Sequence, residues 1–276
     1  MKIVYQGSPG AYSHLAAKKI YPKYEFIPYN TFEDCFKHCN ENEEHKTIIP
    51  VENSIAGRVA DIQYLINKYK LQIYAEHFQE IKHNLMILKN NELKNVKSVR
   101  SHSQAISQCR KLINSNKFEP IIAADTAGSA KYISEKKINT EAAIASELAA
   151  KIYDLKIVKK NIEDNRSNVT RFLIMGKKKS HPEFENKNYI TSCIFKVKNK
   201  PAALYKCLGG FATNQINLTK LESFSVKNTF DQTNFYMDFE GHLDDKNVQN
   251  AMEELGFHTQ NLDILGVYEA SKFRQI

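Results

Sequence analysis

The chain of 276 residues has no apolar run approaching the ~20 residues that span a bilayer. Its start, Met1-Lys2-Ile3-Val4-Tyr5-Gln6-Gly7, turns polar too soon for a secretory leader. Its five cysteines, Cys35, Cys39, Cys109, Cys193 and Cys207, are odd in number and scattered in spacing, which argues against a disulfide framework. The expectation is a cytoplasmic protein with no membrane partner. Metal ligands are undersupplied too. Cys35 and Cys39 sit one helical turn apart around His38, but no second cluster completes the set that zinc takes, so no metal is expected and the pair reads as core-facing side chains. The net charge of +8 comes without a concentrated basic surface. Its one dense run is Lys177-Lys178-Lys179, with no aromatic–basic signature and no helix-turn-helix with a basic face beside it, so nucleic acid is not an expected partner. Such a field also suits a small di-anion.

What is present is 42% hydrophobic residues spread along the whole length, enough for one large domain or two smaller ones. The first half alternates strand-like and helix-like stretches. Lys2–Gln6, Thr47–Val51, Leu71–Glu76, Leu85–Leu88, Val96–Arg100, Pro120–Ala124 and Ala142–Ala145 read as strands. Ala11–Ile20, the stretch from the Thr31 cap through Cys39, Gly57–Tyr69, Ser103–Ile113, Ala127–Ser134 and Ser146–Ile152 read as helices. Alternation of this kind predicts an α/β architecture with largely parallel sheets and functional loops at the carboxyl ends of strands. The polar stretch Lys177–Asn188, with Pro182, reads as a linker. Beyond it the order changes to strand Tyr189–Val197, helix Pro201–Thr213, strands Ile216–Val226 and Thr233–Gly241, helix Asp244–Leu255 and strand Thr259–Val267, which is the ferredoxin-like βαββαβ order.

Five segments carry more polar groups than their turns require. Gly7-Ser8-Pro9-Gly10-Ala11-Tyr12-Ser13 joins a strand to a helix, where open N–H groups suit an anion, although a plain turn also accounts for it and no Gly-Lys-Ser/Thr follows. Glu52, Asn53 and Ser54 follow a buried strand and offer a base or proton store and two directional hydrogen-bonding groups; capping explains one of the three. His102 and Gln104 open the next helix, with a group that titrates near neutrality and an amide that can donate to a carboxylate. Asp125-Thr126-Ala127-Gly128-Ser129-Ala130 is a third junction, small enough for close backbone approach or simply a cap. Asn168-Val169-Thr170-Arg171-Phe172 opens a strand with a hydroxyl donor beside a planar guanidinium suited to a carboxylate or to a surface ion pair.

Taken together, Gly7–Ser13, Pro50–Gly57, His102–Cys109 and Asn168–Phe172 occur in the order and spacing of the prephenate dehydratases, and the chain resembles that family from Lys2 to about Gly176. Asn168-x-Thr170-Arg171-Phe172 is the most specific part of the likeness and Glu52-Asn53-Ser54 the next. Residues Pro201–Glu222 resemble an ACT module, an amino-acid sensor, through Leu204, Asn217-Leu218-Thr219 and Glu222-Ser223. The resemblance implies a two-lobed α/β catalytic domain over 1–178, with lobes like those of type II periplasmic binding proteins. Lobe one would span about 1–78 plus 165–178 and lobe two about 80–160, followed by a linker at 179–188 and an ACT domain at 189–276.

The implied activity is decarboxylating dehydration of prephenate to phenylpyruvate without a cofactor, with arogenate as an alternative substrate and a non-catalytic amino-acid-sensing protein as the reading from another class. The implied catalytic residues are Thr170, donating to the departing hydroxyl, with Glu52 or His102 as proton source. Substrate binding falls to Arg171, Asn53, Ser54, Gln104, Ser13, Thr126, Asn168 and Phe172. L-Phenylalanine is the implied effector, at Ala203, Leu204, Asn217, Leu218, Glu222 and Ser223, and a homodimer or homotetramer the implied assembly. Three positions depart from the family pattern. Ser103 stands where proline is frequent, Ala202-Ala203 replaces Gly-Ala, and Phe224-Ser225 replaces Arg-Pro in the effector motif. With the dehydratase likeness starting at the first residues, neither a chorismate mutase nor a transit peptide is expected ahead of it.

Overall fold

The computed structural model describes residues 1–59, 62–198, 200–225 and 233–274. The first elements are β1 (Lys2–Gln6), α1 (Tyr12–Ile20), β2 (Glu25–Tyr29), α2 (Phe32–Glu41), β3 (Lys46–Asn53), β4 (Gly57–Arg58), α3 (Gln63–Tyr69) and β5 (Gln72–Glu80). There follow β6 (Asn84–Leu88), β7 (Ser98–His102), α4 (Ser103–Gln108), α5 (Arg110–Ser115), β8 (Glu119–Ala123), α6 (Thr126–Lys136), β9 (Glu141–Ala145), α7 (Glu147–Ile152), β10 (Leu155–Lys159) and β11 (Val169–Gly176). The last run is β12 (Tyr189–Val197), α8 (Ala203–Thr213), β13 (Leu218–Ser225), β14 (Thr233–Glu240), α9 (Lys246–His258) and β15 (Thr259–Glu269).

The chain divides into two compact units. The first comprises Met1–His38, His45–Ala60 and His77–Phe172; the second comprises Cys39–Glu44, Asp61–Glu76 and Leu173–Ile276. Two sheets organise the first unit. One is ordered β2-β1-β3-β11-β5, with β4 hairpinned onto β3 and with β5 and β11 continuing past the unit's bounds. The other is ordered β10-β6-β9-β7-β8. Strand β1 pairs in parallel with β2 and β3, so Gly7, just after β1, and Asn53, the last residue of β3, lie at the carboxyl ends of neighbouring strands. In the second sheet β7 is parallel to β8 and β9, which puts His102 and Ala124 at one end. Each sheet buries one apolar cluster or more. Ile3, Tyr5, Ala16, Ile48 and Phe172 pack around β1, and Leu85, Val99, Ile106, Ile113 and Ile144 pack beneath α4 and α5. Burying each large side chain of this kind contributes ~1.5–3 kcal/mol.

The second unit carries the βαββαβ order in an antiparallel sheet, β13-β14-β12-β15. Alternation along β12 sends Cys193 and Phe195 toward α8 and α9, where Cys207, Phe211, Val248 and Leu255 meet them. The opposite face holds a buried polar group in which Ser192 Oγ donates to Asp238 Oδ1 at 2.5 Å and lies 2.9 Å from the Tyr268 hydroxyl.

Several elements differ from the sequence expectation. The helix read from Gly57 to Tyr69 begins only at Gln63. Gly57 has φ +72° and pairs with Asn53, while Asn53 Oδ1 accepts from the N–H groups of Ile55 and Ala56; this side-chain turn replaces a helical start. The continuous helix read from Ser103 to Ile113 breaks at Cys109, because the Gln108 carbonyl accepts from Asp164 N and the Asp164 carboxylate accepts from Lys111 N. Strands β2, which contains Pro28, and β10 carry little apolar alternation and were not expected. The second sheet is mixed rather than largely parallel, since β6 pairs antiparallel with both β9 and β10. Val226, the expected end of β13, lies outside the described residues.

Candidate active site

Strand adjacency builds the centre of the site. Because β11 lies next to β3, Thr170 comes beside Asn53. Asn53 Nδ2 donates to Thr170 Oγ1 at 2.9 Å and to Asn168 Oδ1 at 2.7 Å. The direction of those bonds is fixed, since Asn53 Oδ1 is already taken by Ile55 N and Ala56 N at 3.1 and 2.9 Å. With its lone pair engaged by Asn53, the Thr170 hydroxyl can donate its own hydrogen elsewhere.

That hydroxyl faces a cavity of about 290 Å³ within the first unit. Gln6, Gly7, Ala11, Tyr12 and Ser13 contribute the turn into α1, and Pro50, Asn53, Thr170 and Phe172 contribute the sheet floor. His102, Gln104, Ala105 and Gln108 come from α4 and its cap, and Ala124, Asp125 and Thr126 from the start of α6. Helix N-termini therefore converge on one space from three directions. The first turn of α1 has no side-chain cap, whereas His102 Nδ1 caps α4 by accepting from Gln104 N at 3.3 Å, and Asp125 Oδ1 caps α6 by accepting from Gly128 N at 2.5 Å. Among the described residues the lining includes no lysine or arginine. An anion in this cavity meets N–H groups, hydroxyls, amides and imidazoles at positive helix ends.

The α1 turn is fixed by close packing. Gly10 has φ +94°, and a Cβ there would lie 2.7 Å from Ala149 Cα. The Ser146 hydroxyl donates to the Gly10 carbonyl at 2.6 Å, and Gly10 N donates to His14 Nδ1 at 3.1 Å. His14 stacks on Tyr5, and burial, with a smaller effect of the Lys18 charge, pushes its imidazole below the ordinary value of 6.5.

Of the residues expected from sequence, Thr170, His102, Asn53, Gln104, Ser13, Thr126, Asn168 and Phe172 all line this cavity. Glu52, Ser54 and Arg171 are not among its lining residues. Arg171 is buried and lies between Thr170 and Phe172 on a strand, and the strand period of two sends it to the other face. Glu52 is paired in register with Arg58 in the β3–β4 hairpin. Ser54 ties two backbones, donating to Ser167 O at 2.7 Å and accepting from Val169 N at 3.0 Å.

Tyr12, His83 and Gln108 were not singled out by sequence reasoning, yet they stand in the wall. Gln108 Oε1 accepts from Asn168 Nδ2 at 2.6 Å and lies 3.0 Å from His83 Nε2, while the Tyr12 hydroxyl lies 2.8 Å from His83 Nδ1. Gln108 lay inside the His102–Cys109 segment, one helical turn after Gln104, and that spacing was the available signal. His83 precedes a strand and had no comparable signal.

The expected effector residues lie in the second unit. Ala203 and Leu204 begin α8, and Leu218, Glu222 and Ser223 lie along the edge strand β13. Asn217 Nδ2 donates to Glu240 Oε1 at 3.0 Å. Glu222 pairs with Lys220 at 2.7 Å and accepts from Gln63 Nε2 at 2.5 Å.

A family model described as prephenate dehydratase matches residues 3–180. A bifunctional N-acyl-homoserine lactone acylase/prephenate dehydratase of Komagataeibacter europaeus is 37% identical over 273 residues, covering 99% of this chain and 97% of the relative. An arogenate dehydratase/prephenate dehydratase 2 of Arabidopsis thaliana, chloroplastic, is 36% identical over 278 residues, covering 97% of this chain and 72% of the relative. The crystal structure of a prephenate dehydratase from Arthrobacter aurescens in complex with L-Phe has a TM-score of 0.89 at 24% identity, covering 99% of this chain and 91% of that one, and shares the fold.

Proposed function

Because the chain belongs to the prephenate dehydratase family of hydro-lyases, we propose that it converts prephenate to phenylpyruvate in L-phenylalanine biosynthesis, with the chemistry in the Thr170 cavity. The observation that carries this reading is the Thr170 hydroxyl, held by Asn53 and facing a cavity ringed by helix N-termini. Loss of CO2 from the ring carboxylate leaves its bonding pair in the ring, and the hydroxyl opposite departs with its own pair and takes up one proton. The products are phenylpyruvate, CO2 and water. Aromatisation drives the step, so no redox or electron-sink cofactor enters the balance.

Thr170 donates to the departing oxygen, and Asn53 orients that donor. The first turn of α1 with Ser13, and the starts of α4 and α6 with Gln104 and Thr126, hold the two carboxylates. Between the two proton sources that sequence leaves open, placement supports His102, which lines the cavity as Glu52 does not.

A second reading, turnover of arogenate, is favoured by Asp125. Its carboxylate lines the cavity while accepting from Ser8 Oγ at 3.0 Å and Gly128 N at 2.5 Å, and an ammonium group would add a charge partner there. Comparison of kcat/KM for prephenate and arogenate, in wild type and Asp125→Asn, separates the two. A larger loss on arogenate assigns the ammonium to Asp125, and equal losses remove that role. An N-acyl-homoserine lactone belongs in the same panel, because the Komagataeibacter relative's name joins both activities.

The βαββαβ part of the second unit serves as an ACT module that binds L-phenylalanine and lowers activity, in a homodimer or homotetramer assembled through the edge strand β13. The Arthrobacter protein of the same fold was solved with L-Phe. Inhibition of turnover by added phenylalanine, together with light scattering, tests both statements. No inhibition, or a monomer at assay concentration, would overturn the corresponding one.

A further inference from the structure

We propose that His83 is a positioning residue for this reaction, fixing which end of the Gln108 carboxamide the cavity meets. The proposal rests on the dehydratase reading above. It starts from the backbone. Ile55 N and Ala56 N occupy Asn53 Oδ1, so Nδ2 is the end that reaches Asn168 Oδ1 at 2.7 Å. Asn168 Nδ2 is therefore the end that donates to Gln108 Oε1 at 2.6 Å. His83 Nε2 lies 3.0 Å from that same oxygen and must carry a hydrogen to bond it. A neutral imidazole then keeps its lone pair on Nδ1, where the Tyr12 hydroxyl donates at 2.8 Å, with the Lys82 carbonyl as that hydroxyl's alternative acceptor at 3.0 Å.

Two donors thus converge on one amide oxygen. A flipped Gln108 would set its NH2 against both of them. The orientation observed leaves the Gln108 NH2 as the end available to a substrate oxygen in the cavity that this residue lines. Burial pushes the His83 imidazole below its ordinary value of 6.5, against smaller opposing effects of Gln108 and Glu163. Glu163 Oε2 accepts the His83 backbone N–H at 2.9 Å. Three carboxamides, Gln108, Asn168 and Asn53, lie between His83 and Thr170. Carboxamides transmit hydrogen-bond direction but do not readily relay a proton. His83 therefore orients, and the proton for the departing hydroxyl comes from elsewhere.

Nitrogen NMR of the histidine-labelled wild-type protein reads the tautomer without substrate. The neutral Nε2–H form is expected from about pH 6 to pH 9, and the Nδ1–H form or an imidazolium across that range would overturn the proposal. In turnover, His83→Leu should raise KM for prephenate about tenfold with kcat within about threefold. A fall in kcat at constant KM would contradict a positioning role. His83→Gln, which keeps a donor toward Gln108, should recover most of the KM, and no recovery would count against it. In the Gln108→Leu background, His83→Leu should add nothing, because His83 acts through Gln108; additive losses would overturn it. The Nδ1–H tautomer beside normal wild-type turnover refutes this proposal alone. Absence of prephenate turnover with the Nε2–H tautomer intact refutes the dehydratase reading and, with it, this use of His83.

Discussion

Replacing Thr170 by valine keeps the shape of the side chain and removes one hydroxyl. In the structure that hydroxyl accepts from Asn53 Nδ2 at 2.9 Å, and Asn53 retains Asn168 Oδ1 at 2.7 Å and three further backbone partners, Val169 O, Ile55 N and Ala56 N. The stability cost is therefore that of one hydrogen bond, ~0.5–1.5 kcal/mol. A domain of ordinary stability, ~5–15 kcal/mol, survives it folded. The catalytic cost is separate. A positioned donor to a leaving group is worth ~10²–10⁴ in rate, so kcat for phenylpyruvate formation should fall by that factor while KM moves little. Thr170→Ser restores the hydroxyl with one methyl fewer and should recover kcat to within about tenfold of wild type. The assay is the ultraviolet absorbance of phenylpyruvate, followed at saturating prephenate, with thermal melting of each variant alongside. A valine variant that melts normally and keeps kcat within about threefold of wild type would refute the role of this hydroxyl.

Gly10→Ala should be among the most destabilising single changes in the first unit, because φ is +94° and the new Cβ would lie 2.7 Å from Ala149 Cα. A loss of a few kcal/mol in chemical denaturation is expected, and a neutral result would contradict the packing described. Stability should fall on acidification through the histidines. His14 and His83 are held neutral in the folded state by burial, so the unfolded chain binds protons first as pH drops below 6.5. Their contribution is intact above that pH and is lost progressively from there toward the folded-state values. A melting temperature that stays flat from pH 7 to about pH 5 would contradict this. Thiol reagents should find all five cysteines slow in the native protein, since each is buried and burial pushes Cys39 up to about 12. Guanidinium should release all five, and rapid native reaction of any one would show that its burial is wrong.

The parts of the fold that could be read from sequence are those whose signals are local. The βαββαβ half was legible because its strands alternate and its helices are amphipathic within continuous stretches, and Tyr189–Val197 was placed to the residue. Asn53, His102, Gln104 and Thr126 were expected near strand ends and line one cavity in the structure, where Thr170 joins them from the start of β11. The misreadings arise where tertiary contacts decide. Apolar spacing at Val59, Ile62, Leu65 and Ile66 extended the third helix back to Gly57, but the Asn53 side chain closes a turn there instead. Arg171, expected at a carboxylate, lies on β11 between Thr170 and Phe172, which line the cavity while it does not. His83 gave no sequence signal, because its importance comes from a chain of four side chains, Tyr12, His83, Gln108 and Asn168, each drawn from a separate segment.

The most direct test is to mix the purified protein with prephenate, adding no cofactor, and to measure released CO2 against phenylpyruvate formed. One mole of each per mole of prephenate consumed, with the rate falling by ~10²–10⁴ in Thr170→Val, is the expected result. No release above the uncatalysed rate, or an equal rate in the Thr170→Val protein, would contradict a dehydratase centred on this cavity.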